Sequence, residues 1–194
     1  MPRFRIAVTT LPALLALALA GAAAQPQPQQ PPLPEKFVAN SINLGGVAKP
    51  DLIFITIQRW STPEERQTLV DAFRQKGPKG LLQTLQKMKT VGSARSSKSM
   101  GWDLYYAAQS PTEGGGRRIF LATDRRMGHL EIQRSTKSED YPFTLIELRL
   151  NGESKGEGAL SYATKIGVSK DGSRIELEGY DMEPLRLQNV RKEK

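Results

Sequence analysis

The 194-residue chain contains no cysteine and a single histidine, His129. Without cysteine there are no disulfides, no lipobox for an acyl anchor and no cysteine–histidine catalytic site. A serine–histidine–aspartate site would have to use His129, and a zinc site there would need an unusual set of carboxylate ligands. His129 follows Arg126-Met127-Gly128, which is typical of a turn. We therefore expect a surface histidine, no metal site and no cofactor.

Motifs for hydrolysis and nucleotide binding are also missing, including HExxH, GxSxG, the P-loop and the dinucleotide glycine pattern. The glycines at 114–116 stand between two candidate strands, so they predict a hairpin loop and not a phosphate-binding helix start. A pair of carboxylates meeting across a sheet remains one catalytic alternative. Cross-strand ion pairs, for instance with Arg118 or Arg149, are the simpler interpretation of these acidic residues. The carboxylates concerned are Asp103, Asp124, Glu131 and Glu147.

The first 24 residues have the organisation of a Sec signal peptide. Arg3 and Arg5 give a positive start, residues 6–20 carry no charge, and small side chains at 21–24 predict cleavage after Ala24. The uncharged run of 15 residues is shorter than the ~20 that span a bilayer. We expect a secreted or periplasmic protein with no membrane span after cleavage.

Residues 25–35 contain five prolines and four glutamines in eleven positions, which predicts an extended tether. Residues 36–194 have the length of one domain. Loss of Arg3 and Arg5 with the signal lowers the formal net charge from +8 to +6. That surplus biases encounters toward anionic partners.

The first part of the domain predicts strands followed by helices. Residues 51–60 are rich in Ile, Phe and Thr and indicate a strand, preceded by a weaker one at 37–47. Thr62, Pro63 and Glu65 form a capping box with proline at the first helical position. Apolar spacing over 62–89, with Gly77-Pro78 in the middle, predicts two amphipathic helices joined as a hairpin.

From Val91 onward apolar residues alternate with period two, and turn sequences such as Asn151-Gly152 recur every 8 to 12 residues. Residues 128–134 are one of these shorter candidate strands. With no helix between the strands, parallel crossovers are not expected. The predicted fold is mainly β (α+β): an antiparallel meander of eight to ten strands, forming a barrel or a sandwich, with the helical hairpin inserted early.

Two groups of side chains are candidates for ligand binding. Trp60, Trp102, Tyr105 and Tyr106 would line the mouth of a barrel around an apolar ligand, although Trp102 and Tyr106 fall on one predicted face and are also typical of a core.

Arg118 and Arg126, with their neighbours Arg117 and Arg125, flank one strand and suggest a site for an anionic ligand. A second basic cluster is Lys87, Lys89, Arg95 and Lys98. Acidic residues interleave with the basic ones, which favours a solvated surface. Nucleic acid is not expected as a partner, because no aromatic RNA-binding motif accompanies the basic residues.

Several segments resemble those of uncharacterised secreted proteins of environmental Gram-negative bacteria. They are IQRWSTPEE, GWDLYYA, RRIFLATDR, DYPFTLIELRLN and GEGALSYATKI. The resemblance implies an exported single-domain β protein and no particular activity. The function expected is a non-enzymatic envelope protein that binds a small anionic or apolar ligand or a protein partner. A carboxylate-only hydrolase and an envelope assembly component are the alternatives.

Overall fold

The computed structural model describes residues 32–42, 51–97, 101–124, 142–168, 175–179 and 184–193. All of them belong to the compact unit that spans Pro31–Lys194. The predicted signal peptide and its cleavage site fall outside the described residues. So do His129 and the candidate strand at 128–134.

Within the described residues the chain forms ten strands and one α-helix, in line with the prediction of a mainly antiparallel β protein. A short 3-10 turn, Glu113–Gly115, joins two of the strands. The elements in chain order are β1 (Glu35–Ile42), β2 (Asp51–Ile57), α1 (Pro63–Leu85), β3 (Gly92–Ser96), β4 (Trp102–Leu104), β5 (Tyr106–Pro111), β6 (Arg117–Thr123), β7 (Phe143–Leu150), β8 (Lys155–Val168), β9 (Ile175–Gly179) and β10 (Leu185–Lys192).

Nine strands follow one another in the order β4-β3-β2-β1-β10-β8-β7-β6-β5, and β9 pairs with β8 outside this path. The two end strands, β4 and β5, are separated in the chain only by Tyr105, whose backbone N–H donates to Ala122 O on β6 at 3.0 Å. The two edges of the sheet are thus joined, and the meander is a nearly closed barrel. Closure leaves little free edge for another chain to pair with.

The segment after β2 completes this closure. Gln58 N donates to Val91 O at 2.8 Å, and Ser61 N donates to Ala107 O at 2.9 Å. The segment therefore lies between the start of β3 and the outer edge of β5.

Apolar side chains from every strand of the nine-strand path meet inside the barrel. Alternate residues point inward, so Ile53, Ile55 and Ile57 of β2 form one inward row. The largest of these fully buried apolar side chains are Phe37, Ile55, Ile57, Leu104, Ile119, Leu121, Ile146, Leu148, Leu160 and Leu187. Burial of this interior is the main contribution to stability in a chain without disulfides.

The alternation breaks between β4 and β5. Trp102, Leu104 and Ala107 belong to the interior cluster, whereas Tyr106 lies on the outer face, opposite Ala122. The expectation that Trp102 and Tyr106 share a face is therefore wrong. The reason is a change of partner at Tyr105, where the strand leaves β3 for β6 and its side chains shift by one position.

The capping box that starts the helix is confirmed. Thr62 Oγ1 accepts a hydrogen bond from Glu65 N at 3.2 Å, and Glu65 Oε2 accepts one from Thr62 N at 2.9 Å. The predicted two-helix hairpin is wrong, because α1 is one helical element. Within it Gly77 takes a positive φ of 63°, and Pro78 follows at once. A helical hairpin needs a connecting loop of ~2–5 residues. Here Pro78 already belongs to the helix, so there is no such loop.

Helix α1 packs on the outside of the barrel. Leu69 and Leu85 are buried against Ala122, Phe143 and Leu145 on the outer face of β6 and β7. The helix therefore covers one side of the barrel.

A carboxylate is buried inside the barrel. Glu35, at the start of β1, has 0 % exposure and accepts hydrogen bonds from Arg117 Nη2 at 2.7 Å and Lys192 Nζ at 2.8 Å. Arg117 Nη1 donates to the other carboxylate oxygen at 2.8 Å and to Gln109 Oε1 at 3.0 Å. Since β1 and β6 are not neighbours in the sheet, this ion pair crosses the interior. Burial raises the pKa of Glu35, but the bonds and charges of Arg117 and Lys192 outweigh burial and bring the pKa below its usual value.

We expect Glu35→Gln to destabilise the fold by about 3 kcal/mol, because it leaves Arg117 and Lys192 without their counter-charge. Since the folded-state pKa of Glu35 is lowered, its contribution is fully present above the unfolded pKa and is lost as the pH falls through the folded one. Urea unfolding at neutral pH and along an acid series measures both effects. The control is Glu113→Gln, which removes an exposed charge. An equal loss of stability in both variants would contradict the assignment.

Candidate functional site

A groove of about 370 Å³ lies on the outer face of the barrel, over β7, β8 and β10. Its walls are long polar side chains and its floor is made of small or apolar residues. The lining residues are Glu147, Arg149, Glu157, Gly158, Ala159, Arg186, Leu187 and Gln188.

The groove follows from residue size on adjacent strands. Ala159 of β8 faces outward between Glu147 of β7 and Arg186 of β10, its two direct partners in the ladder. A short side chain between two long ones creates a depression in the surface. Arg149 pairs with Glu157 along the same outer face, which extends the wall.

The β7 wall is held in place by ion pairs. Glu147 Oε1 accepts from Arg118 Nε at 2.9 Å and from Arg149 Nε at 2.6 Å. Burial raises the pKa of Glu147, but the bonds and charges of the two arginines more than compensate and lower it. Glu147 therefore stays ionised at neutral pH and fixes both guanidinium groups.

The β10 wall is different, because its polar groups are free. The side chains of Arg186 and Gln188 are exposed, and neither has a hydrogen bond or ion pair with any other residue that the structure describes. Arg186 faces outward because its neighbours Leu185 and Leu187 point into the core. The groove thus offers a guanidinium and a side-chain amide to a ligand.

Comparison of the chain with protein-family models, with curated proteins and with solved structures finds no match. The resemblance to secreted Gram-negative proteins stays a prediction. The proposed function therefore depends on the geometry and charge of the groove alone.

The aromatic residues predicted to bind a ligand divide between the two sides of the barrel wall. Trp60 packs against the interior cluster and Trp102, 7 % exposed, belongs to it. The indole N–H of each is buried without a hydrogen-bond partner. Tyr105 and Tyr106 pack instead in the outer cluster beneath α1.

Two adjacent arginines of the predicted anion-binding group lie on different sides of the barrel wall. Arg118 lies on the outer face opposite Arg149, at the edge of the groove, whereas its neighbour Arg117 is inside with Glu35. Arg126 is outside the described residues. Arg186 and Gln188 are not among the site residues predicted from the sequence. The alternation in Leu185–Gln188 indicates that both are exposed, but it does not indicate which strand lies beside them.

The carboxylates suggested for hydrolysis do not form a pair in the described part of the chain. Asp103 is exposed on β4, Asp124 accepts a hydrogen bond from Gln86 Nε2 at 3.1 Å, and Glu147 is bound by arginines. Glu131 is not among the described residues. Those residues contain no group of three or more His, Asp or Glu side chains placed to hold a metal ion. No described helix is long and apolar enough to cross a membrane.

Because both indoles are shielded by the barrel, we expect Trp60 and Trp102 to be poorly quenched by acrylamide in the folded protein. Unfolding in urea should shift the emission to longer wavelength and raise the quenching constant several-fold. The variants Trp60→Phe and Trp102→Phe assign the two contributions. Strong quenching of Trp102 in the folded state would show that the residue is open to solvent.

Proposed function

We propose that the protein is an exported, non-enzymatic binding protein whose ligand occupies the outer groove on β7, β8 and β10. The ligand class is a small acidic molecule with hydroxyl groups, such as a saccharide bearing a carboxylate or phosphate. The observation that carries this proposal is Arg186, a groove-lining guanidinium with no partner among the described residues.

The chemistry of the walls supports an anion. A guanidinium matches the geometry of a carboxylate or phosphate with two parallel hydrogen bonds, and charge-assisted bonds are the stronger kind. Gln188 adds a donor and an acceptor on the same strand. Glu157, two residues from Ala159 on the same face of β8, supplies acceptors for ligand hydroxyl groups.

A binding role is favoured over hydrolysis by the ionisation of the carboxylates. Burial tends to raise the pKa of Glu35 and of Glu147, yet in both it is outweighed by hydrogen bonds and charges from basic neighbours, which lower the pKa. A general acid in a glycosidase-type pair requires a raised pKa. Both carboxylates are instead committed to structural ion pairs.

The remaining alternatives receive less support from the described surface. An apolar ligand would have to enter an interior that the protein's own side chains occupy. An assembly role would favour one exposed apolar patch. The large apolar residues most exposed are Leu33 and Leu52, and they lie toward opposite ends of the β1–β2 ladder.

We expect Arg186→Gln to weaken binding of glucuronate or glucose 6-phosphate by about tenfold or more, since a charge-assisted hydrogen bond contributes ~1.5–3 kcal/mol. Amide chemical shifts from NMR titration of the purified protein measure the affinity and show where the ligand binds. Perturbed residues should map to β7, β8 and β10.

The matched control is Arg74→Gln, which removes one exposed arginine on α1 and should leave the affinity unchanged. Glucose, which lacks the anionic group, should bind more weakly than either acid. Equal losses in the two variants, or equal binding of glucose, would contradict the proposal. So would the absence of saturable binding by both acids.

A further inference from the structure

Residues 72–102 contain seven lysines and arginines and not one aspartate or glutamate. The interleaving of charges expected for the basic clusters does not hold over these 31 residues. An uninterrupted run of one sign creates a local field that the modest net charge of the whole chain conceals.

The structure places most of this run on the second half of α1 and the turn after it. Arg74, Lys76, Lys79 and Lys87 are all exposed. None of their side chains forms an ion pair or hydrogen bond with a described residue. These four residues are here called the basic ridge.

The ridge residues are exposed on both sides of the kink at Gly77 and in the turn after α1. Lys79 and Gln83 stand four residues apart on the helix and are both exposed, so they share one outward face. Lys87 is exposed in the turn that follows the end of α1. Leu85, on the opposite side, is 2 % exposed and packs on the barrel. Arg74 and Lys76, which precede the kink at Gly77, are exposed as well.

Carboxylates near the ridge have other partners. Asp71 accepts a hydrogen bond from Gln67 at 2.9 Å, and Asp124 accepts one from Gln86 at 3.1 Å. The charge of Lys89 acts on Glu65, which is bound by Arg59. The four ridge cations are thus not neutralised by ion pairs within the described structure.

We propose that the basic ridge docks the protein reversibly on an anionic phospholipid bilayer. The ridge lies on a helix packed outside the barrel, so it presents a projecting surface and not a concave one. A projecting row of cations suits a flat anionic surface, whereas a small ligand needs walls. Each lysine or arginine near such a surface strengthens adsorption about fivefold.

The docking is adsorption and not insertion. The apolar side of α1, including Leu69 and Leu85, is buried against the barrel and is not free to enter lipid. Attraction between exposed charges is screened by salt within about 10 Å at 0.1 M ionic strength. Binding should therefore weaken steeply as salt is added.

The test is co-sedimentation with vesicles of phosphatidylcholine that contain phosphatidylglycerol, against vesicles of phosphatidylcholine alone. The double variant Lys79→Gln/Lys87→Gln should lower the partition coefficient on anionic vesicles about 30-fold, which corresponds to ~2 kcal/mol. The matched control is Lys36→Gln/Arg191→Gln, which removes two exposed charges from β1 and β10 and should have little effect. Unchanged thermal unfolding confirms that both variants fold.

Equal losses in the two double variants would overturn the proposal in favour of a general charge effect. Equal binding to both kinds of vesicle would overturn it too, as would capture of polyphosphate without capture of vesicles. The ridge and the groove rest on different residues, so Arg186→Gln should leave vesicle binding unchanged. Failure here therefore does not count against the groove.

Discussion

The fold depends on the pairing of the first strand, β1, with the last, β10, around a common interior. Glu35, at the start of β1, connects this pair of strands to β6 on the other side of the barrel. Its carboxylate accepts bonds from Lys192 on the neighbouring β10 and from Arg117 across the barrel. A buried charge is tolerable only when its partners replace the water it has lost. Here three donated hydrogen bonds do so. In a chain without disulfides, this network fixes which strands face each other, while the apolar interior provides most of the free energy of folding.

Because side chains fill the interior of the barrel, the polar groups proposed to bind a ligand lie on its outer face. An eight- or nine-strand barrel is only just wide enough for its own side chains or for one small ligand. Here Phe37, Ile119 and Leu148 are among the residues that occupy it. The free polar groups lie outside, where strand alternation brings Arg186 and Gln188 beside the short residue Ala159. The proposed binding site therefore lies on the outer surface of the barrel.

Features that depend on residues close together in the sequence were predictable, and features that depend on distant residues were not. Period-two alternation and turn dipeptides are local, so the antiparallel β fold was predictable, as was the helix start at Thr62. The exchange of partners at Tyr105 depends on tertiary contacts and was not predictable, and neither was the way α1 resumes after its kink at Gly77. The ion pair between Arg117 and Glu35 joins residues 82 positions apart, which no spacing rule can identify. Likewise, alternation predicts that Arg186 is exposed but not that Ala159 lies beside it.

The distribution of the positive charge matters more than its sum. Arg117, Arg118 and Arg149 are bound to carboxylates and contribute little field beyond their neighbourhood. The cations without such partners include Arg186 in the groove and the four residues of the basic ridge. These two sets differ in kind. A guanidinium in a walled groove acts through short, directed hydrogen bonds, which salt screens only partly, whereas separated lysines on a projecting helix act through a field that salt removes. The two proposed modes of binding, to a small acidic ligand and to an anionic surface, are therefore separable by ionic strength.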